Sequence, residues 1–586
     1  MHKLFTFGLS VCLLLGTASL GYAQDLNTPR SLSPRDLSPN SEQSGVPNNK
    51  LVPMRTLSGG INVQTLGSVS TEALGVLSGK DGFSSDMWAG VNRSLVEVLI
   101  KKLPNNPYSE QLRIMQRRLL LSAAQPPQGQ TGTQSLLSLR VSKLADMGQT
   151  KDVLSLLRSS PQEERNTDLA ILETQSLLIQ GQLSQACALS AGHMQASSDV
   201  FWLKTMAFCR ILAKQTDQAM LSLSLLKENG DVDETYYNLM EALSLGEVGK
   251  VDNLPAPKAL DLALIQVSKA KLSETVLKSD NPNLISVLAK FAQLKTNQRI
   301  SLVQKAVGRG LLKIDDLRLA YKAITFNEAD LNDPITRTES LPPANAQALL
   351  YQVSIKEGQL SVISSETMAL GLELAKKTNT YLSTAKLYQP TLATMKQSID
   401  MLWFAPQAVR ALLAAGDWEN AKSWAFMLRN AAFSDAEAAA AWTKLRPLAA
   451  LAGFDVAPQA VNQALNQWWA AQEETPASFR TAAHLYSMID GLGLDVPNKL
   501  WLALMNGPAQ TQIQRPKSGI WIKLNKAGIA GRTGETLLMV LHGLGDVDLK
   551  DADPTFMRDS LFALRMVGLE QNARMLAVEA ALNAGI

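Results

Sequence analysis

Histidine and cysteine are scarce in this chain, and their scarcity removes most metal chemistry. Four His and three Cys occur in 586 residues. Beyond His2, only His193, His484 and His542 remain, none in an HExxH or paired-ligand spacing, so neither a metal site nor a cofactor is expected. A dominant charge is also lacking. Lys and Arg number 56 against 53 Asp and Glu, a net charge of +3, and no basic stripe is visible, which argues against nucleic acid as a partner. Past the first two dozen residues, no apolar run approaches the roughly 20 residues that a membrane-crossing helix needs.

Nucleotide, serine and calcium motifs are each incomplete. Gly75-Val76-Leu77-Ser78-Gly79-Lys80 is one residue short of a phosphate-binding loop and lacks the Ser or Thr that should follow. SxxK occurs three times on helical patterns, at Ser224, Ser268 and Ser383, so it carries little meaning. Asp546, Asp548 and Asp551 suggest calcium, but Asp551 stands where an EF-hand requires Gly and Met557 where it requires Glu. No catalytic residue is assigned. Carboxylates that converge from distant positions, as in glycoside hydrolysis, leave no local signature.

Residues 1–23 read as a secretory signal peptide. Lys3 precedes an apolar stretch from Leu9 to Leu15, and Gly21-Tyr22-Ala23 supplies small residues at the cleavage positions. Cys12 lies inside that stretch. The mature product is expected to be exported, most readily to the periplasm. Residues 24–60, rich in Ser, Pro and Asn, have little to bury and read as a disordered tail. At 46% hydrophobic and 19% charged, the remainder is able to bury a core.

Helical periodicity resumes in residues 61–135, where two amphipathic stretches, 87–103 and 109–124, suggest a helical cap. Residues 136–331 then show a register. Gly148, Gly181 and Lys214 are spaced 33 apart, and Gly246 follows 32 later. Five residues after each stand Val153, Ala186, Ala219 and Val251. Four residues before each stand Leu144, Leu177, Arg210 and Ala242. Residues 332–345, with adjacent Pro342 and Pro343, read as a linker or bend. Residues 346–586 form a second helical stretch holding eight of the ten Trp. Within it, 515–536 is poorly periodic and reads as a long loop.

The clearest turn is Gly416-Asp417-Trp418-Glu419-Asn420-Ala421. Val409, Leu412 and Leu413 precede it and Ala421, Trp424, Ala425 and Leu428 follow it, both at helical spacing. Gly416 suits the left-handed end of one helix, and Asp417 suits the cap of the next. Gly568 and Ala573 repeat the frame near the C-terminus. This turn resembles that of the tetratricopeptide repeat, in which Gly, an acidic residue and an aromatic precede a small Ala, and a period in the low thirties suits such a unit. The resemblance implies an all-α, tetratricopeptide-like helical-hairpin solenoid in two arrays, behind a disordered tail.

Cys187 and Cys209 lie 11 residues either side of Ser198, in a polar stretch that would turn the chain between antiparallel helices. They read either as a disulfide, given an oxidising compartment, or as two small core residues. Trp468 and Trp469 cannot share one helical face, which leaves one of them for a partner. The expected function is an exported scaffold that binds an envelope protein or peptide along its concave face. Two alternatives stand beside it. One is a peptidoglycan enzyme or accessory, similar in architecture to the solenoid of soluble lytic transglycosylases. The other is a carrier of a small molecule or lipid.

Overall fold

A glycine that ends one helix in the left-handed conformation, followed at once by the next helix, is the unit from which the chain is built. The computed structural model describes residues 71–586 except 162–164, 195–198, 357 and 509–512; the expected leader, the tail and the Ser197-Ser198 turn lie outside the described residues. The first half contains α1 (Arg93–Lys101), α2 (Glu110–Leu121), α3 (Leu136–Asp146), α4 (Thr150–Arg158), α5 (Thr167–Ile179), α6 (Leu183–Met194), α7 (Val200–Leu212), α8 (Thr216–Glu228), α9 (Glu234–Leu245) and α10 (Ala259–Ser268). It continues through α11 (Glu274–Leu277), α12 (Pro282–Leu288), α13 (Thr296–Gly308) and α14 (Ile314–Lys322).

Two short helices, α15 (Glu328–Asn332) and α16 (Pro334–Thr338), lead into the second half. There follow α17 (Pro343–Ser354), α18 (Ser361–Lys377), α19 (Tyr381–Thr394), α20 (Ala405–Ala415), α21 (Trp418–Ala431), α22 (Ala436–Leu451) and α23 (Pro458–Ala470). The last six are α24 (Pro476–Gly491), α25 (Asn498–Asn506), α26 (Ser518–Ile529), α27 (Thr533–Leu544), α28 (Pro554–Met566) and α29 (Glu570–Asn583). Successive helices pack as pairs, which defines an all-α helical-repeat solenoid.

The repeat turns share one hydrogen-bond pattern. Gly148, Gly181, Gly246, Gly416 and Gly568 have φ of 74°, 72°, 71°, 82° and 78°. The N–H of the residue after each returns to a carbonyl in the last turn of the preceding helix: Gln149 to Leu144 (2.9 Å), Gln182 to Leu177 (2.9 Å), Glu247 to Ala242, Asp417 to Leu412 and Leu569 to Leu564 (2.8 Å each). This closing bond satisfies a carbonyl that the helix would otherwise leave orphaned. Asp417 then caps α21, its carboxylate accepting from the Asn420 N–H at 3.2 Å. Ala186, Ala219, Ala421 and Ala573 are fully buried, so only a small side chain lets the second helix approach the first.

Lys214 takes the same turn without glycine, at φ 61°, with the Gln215 N–H on the Arg210 carbonyl at 2.8 Å. A side chain in this region costs roughly 1–2 kcal/mol. Lys214→Gly is therefore expected to stabilise the protein by about 1 kcal/mol after its greater chain entropy is deducted, read as a higher urea midpoint at unchanged slope.

The register departs from expectation after Gly246. No second helix follows; instead Lys250–Val251 pairs in parallel with Lys271–Leu272. Pro255 and Pro257 stop helix formation, and Gly249 passes so close to Leu239 that a Cβ would lie 2.6 Å from its Cδ2. α10 then turns back onto α5, and the Asn283 amide reaches the Ala145 carbonyl at 3.3 Å. The bend begins α17: Pro343 sits at its first position, where no N–H is needed. α13 and α14 pack on α17 and α19, so both halves belong to one compact unit, Leu66–Ile586.

The stretch 515–536 is not a loop. It contains α26 and the start of α27. Leu524, Ala527 and Gly528 are its buried face, and Gly528 lets Ala563 approach to where a Cβ would stand 2.8 Å away. Glycine in the packing face of α26 hides the apolar period from the sequence.

Candidate functional site

The α1–α2 pair does not sit at a free end. It is packed against α27 and α29 from the far end of the chain, and this seam closes the fold. Ser109 caps α2, and Glu579 of α29 crowns that same helix N-terminus. One Glu579 carboxylate oxygen accepts from the Ser109 hydroxyl at 2.8 Å and from the Gln111 N–H at 2.9 Å, and the other accepts from the Glu110 N–H at 2.7 Å. A carboxylate there meets the positive end of the helix dipole and unpaired backbone donors. Burial pushes the Glu579 carboxyl above the usual range, and these three hydrogen bonds pull against that shift.

Further bonds tie the same seam. The Tyr108 N–H donates to the Gly545 carbonyl at 3.0 Å, His542 Nε2 meets the Leu99 carbonyl at 2.9 Å, and the Gly534 N–H reaches the Met87 carbonyl at 2.8 Å. Gly534 has to be glycine because a Cβ would lie 2.4 Å from the Trp88 ring. Lys386 of α19 forms an ion pair with Glu110. On the other side, Arg113 donates to the Gly308 carbonyl at 2.6 Å and to the Pro107 carbonyl at 2.7 Å, joining α2 to the end of α13.

A cleft of about 1370 Å³ lies beside this seam. Its walls come from the α1–α2 connection and α2, from α11 and α13, from the start of α17, from α18 to α20, and from the segment 548–550 with the end of α29 and the residues after it. Eight Lys and Arg side chains line it against three side-chain carboxylates, of which Glu579 is buried and already satisfied. The three arginines are held in place. Arg113 is bound by carbonyls, Arg309 by Asp280 at 2.7 Å, and Arg410 by the Ile586 carbonyl oxygen at 3.3 Å. Lys305 is held by Asp280 at 2.7 Å and by the Ser279 carbonyl at 2.8 Å, whereas the other four lysines are freer. No ion pair with Lys278 or Lys295 occurs among the described residues. Lys376 and Lys550, both exposed, pair with the half-buried Glu373 and Asp548, and such near-surface pairs contribute little.

Cys187 on α6 and Cys209 on α7 are joined as a disulfide, with a Cα separation of 5.7 Å, away from the cleft lining. Trp468 is buried and Trp469 half-buried. Trp468 is 4% exposed and meets Tyr486 edge-on at 6.4 Å, and Trp469 packs against Phe479 at 5.1 Å. α24 supplies both rings, Tyr486 and Phe479. Trp403 is 49% exposed.

The motif residues have structural partners. Ser268 and Ser224 donate to the Leu264 and Met220 carbonyls, Ser383 donates to that of Thr380, and none bonds to its SxxK lysine. His193 stacks on Trp202 at 4.8 Å, and burial pulls His484 down to about 4. Among the described residues, no three His, Cys, Asp or Glu side chains gather as a metal site, and no helix is long and apolar enough to cross a membrane.

Sequence reasoning missed the cleft's basic residues. A net charge of +3 conceals a local surplus, because Lys278, Lys295, Lys376 and Lys550 stand far apart in the chain and share no motif. The fold and this site define an all-α helical-repeat protein. Comparison with protein-family models, curated proteins and solved structures gave no match to the chain.

Proposed function

We propose that the protein is an exported scaffold of tetratricopeptide-like repeats, which holds a segment of a cell-envelope protein in the cleft beside the α2–α29 seam. The observation that carries this reading is the cleft itself. At about 1370 Å³ it exceeds the roughly 300–1,000 Å³ of a typical small-molecule pocket, and distant parts of the chain build it. A rigid wall of packed helices lowers the ordering cost of binding. Export is supported by the leader-like residues 1–23 and by the disulfide, since such bonds persist in oxidising compartments.

The test is site-specific photocrosslinking in cells. A crosslinker at Lys295 faces the cleft, and one at Leu221 of α8, a residue 63% exposed, serves as the outward control. The scaffold reading expects one defined protein adduct at position 295 and none at 221. Glycan adducts at 295 would instead favour a peptidoglycan role, and a partner trapped only at 221 would move the binding surface elsewhere.

A further inference from the structure

We infer that the occupant of the cleft is an extended acidic peptide, a partner segment whose Asp and Glu side chains are spread along its length. The inference rests on reading the cleft as the partner site, and it adds the chemistry that selects the partner.

Charge gives the sign. With Glu579 buried under the α2 N-terminus, the side-chain carboxylates left facing the cleft are Glu274 and Asp548; Lys550 engages Asp548 at 3.1 Å, and Arg410 holds the Ile586 main-chain oxygen at 3.3 Å. Asp280 and Glu373, just outside the lining, offset part of the charge on Lys305, Arg309 and Lys376, and the surplus that remains in this concave wall gives a positive potential to whatever enters.

The kind of cation gives the ligand's form. A single phosphate or carboxylate group is best held by a fixed guanidinium fork or by a helix N-terminus. Here the forks are spent: Arg113 on the Gly308, Pro107 and Tyr108 carbonyls, Arg309 on Asp280, and Arg410 on the Ile586 and Pro406 carbonyls. The α2 N-terminus is occupied by Glu579. What remains are ammonium groups on flexible stems, Lys278 after α11, Lys295 before α13, Lys376 at the end of α18 and Lys550 near the C-terminus. Separate point charges on separate walls match separate charges on a chain. Leu277, Leu302 and Leu382 between them give such a chain apolar footing.

The probe is a fluorescent peptide of about twelve residues alternating Glu with Ala, compared by anisotropy with its Gln counterpart. The Glu peptide is expected to bind the mature protein and the Gln peptide to bind at least about tenfold more weakly, with affinity falling as salt rises because the pairs are screened. In the double variant Lys278→Glu with Lys295→Glu, both positions exposed and outside any ion pair among the described residues, binding should fall at least about tenfold at an unchanged melting temperature. Equal binding of the two peptides, or no effect of the double reversal, overturns the inference. Polygalacturonate displacing the peptide at equal charge concentration also overturns it, by showing that any polyanion suffices. A protein trapped at position 295 with no Glu-peptide binding leaves the scaffold standing and removes this inference. Glu-peptide binding with no protein trapped in cells keeps the cleft's acidic preference but removes the scaffold reading, and with it the partner segment.

Discussion

Replacing Glu579 by Ala is expected to lower the unfolding free energy by about 4 kcal/mol, the largest effect of any single substitution at the seam. The carboxylate is 5% exposed and accepts three hydrogen bonds from the start of α2. Its removal leaves the Ser109 hydroxyl, itself 1% exposed, and two backbone N–H groups facing a void. Each buried donor without a partner costs roughly 1–3 kcal/mol, and the helix loses the charge that complements its dipole. Glu579→Gln keeps one accepting oxygen but turns an NH₂ toward donors, so about half the loss should remain. Urea unfolding of the three proteins measures both values. A loss below about 1 kcal/mol for the Ala variant would mean that the seam does not depend on this carboxylate.

Removal of the Cys187–Cys209 bond by the double Ser variant is expected to cost about 3 kcal/mol. The bridge closes a span of 22 residues, and the chain-entropy relation for a loop of that length gives this value. Reductant should lower the wild-type urea midpoint by a similar margin and leave the double variant unmoved. Two reactive thiols in the denatured, unreduced mature chain would contradict the bridge.

The turns were legible because they are local. Gly148, Gly181, Gly416 and Gly568 each meet a conformational need that glycine satisfies without strain, and the buried alanine five residues after Gly181, Gly416 and Gly568 marks the close approach of the second helix. Other turns of the second half were hidden. Asn379, Gly453, Gly493 and Gly531 also have positive φ, and with Gly416 and Gly568 they recur every 37 to 40 residues. Five residues after them stand Thr384, Pro458, Asn498 and Thr536 in place of Ala, so the sequence frame is lost while the turn persists.

The seam and the cleft were illegible for a different reason. Ser109 and Glu579 are an ordinary cap and an ordinary acidic residue on a helix, and only the return of the chain brings them together. For the paired tryptophans, period alone puts Trp469 outward, whereas the fold leaves it half-buried with Phe479 of the adjacent helix against its ring.

Closure of the chain onto itself is the claim on which the cleft depends, and zero-length carbodiimide crosslinking with peptide mapping tests it most directly. Glu110 and Lys386 form an ion pair between α2 and α19, and the closed arrangement is expected to yield a peptide joining these two residues. Lys204 and Lys258, at 3.0 and 2.6 Å from Asp233 within the first half, supply links that form whether or not the seam is closed. Recovery of the Glu110–Lys386 link together with the Asp233 links supports the closed fold. Recovery of the Asp233 links alone, at full carbodiimide activation of Glu110, would contradict it.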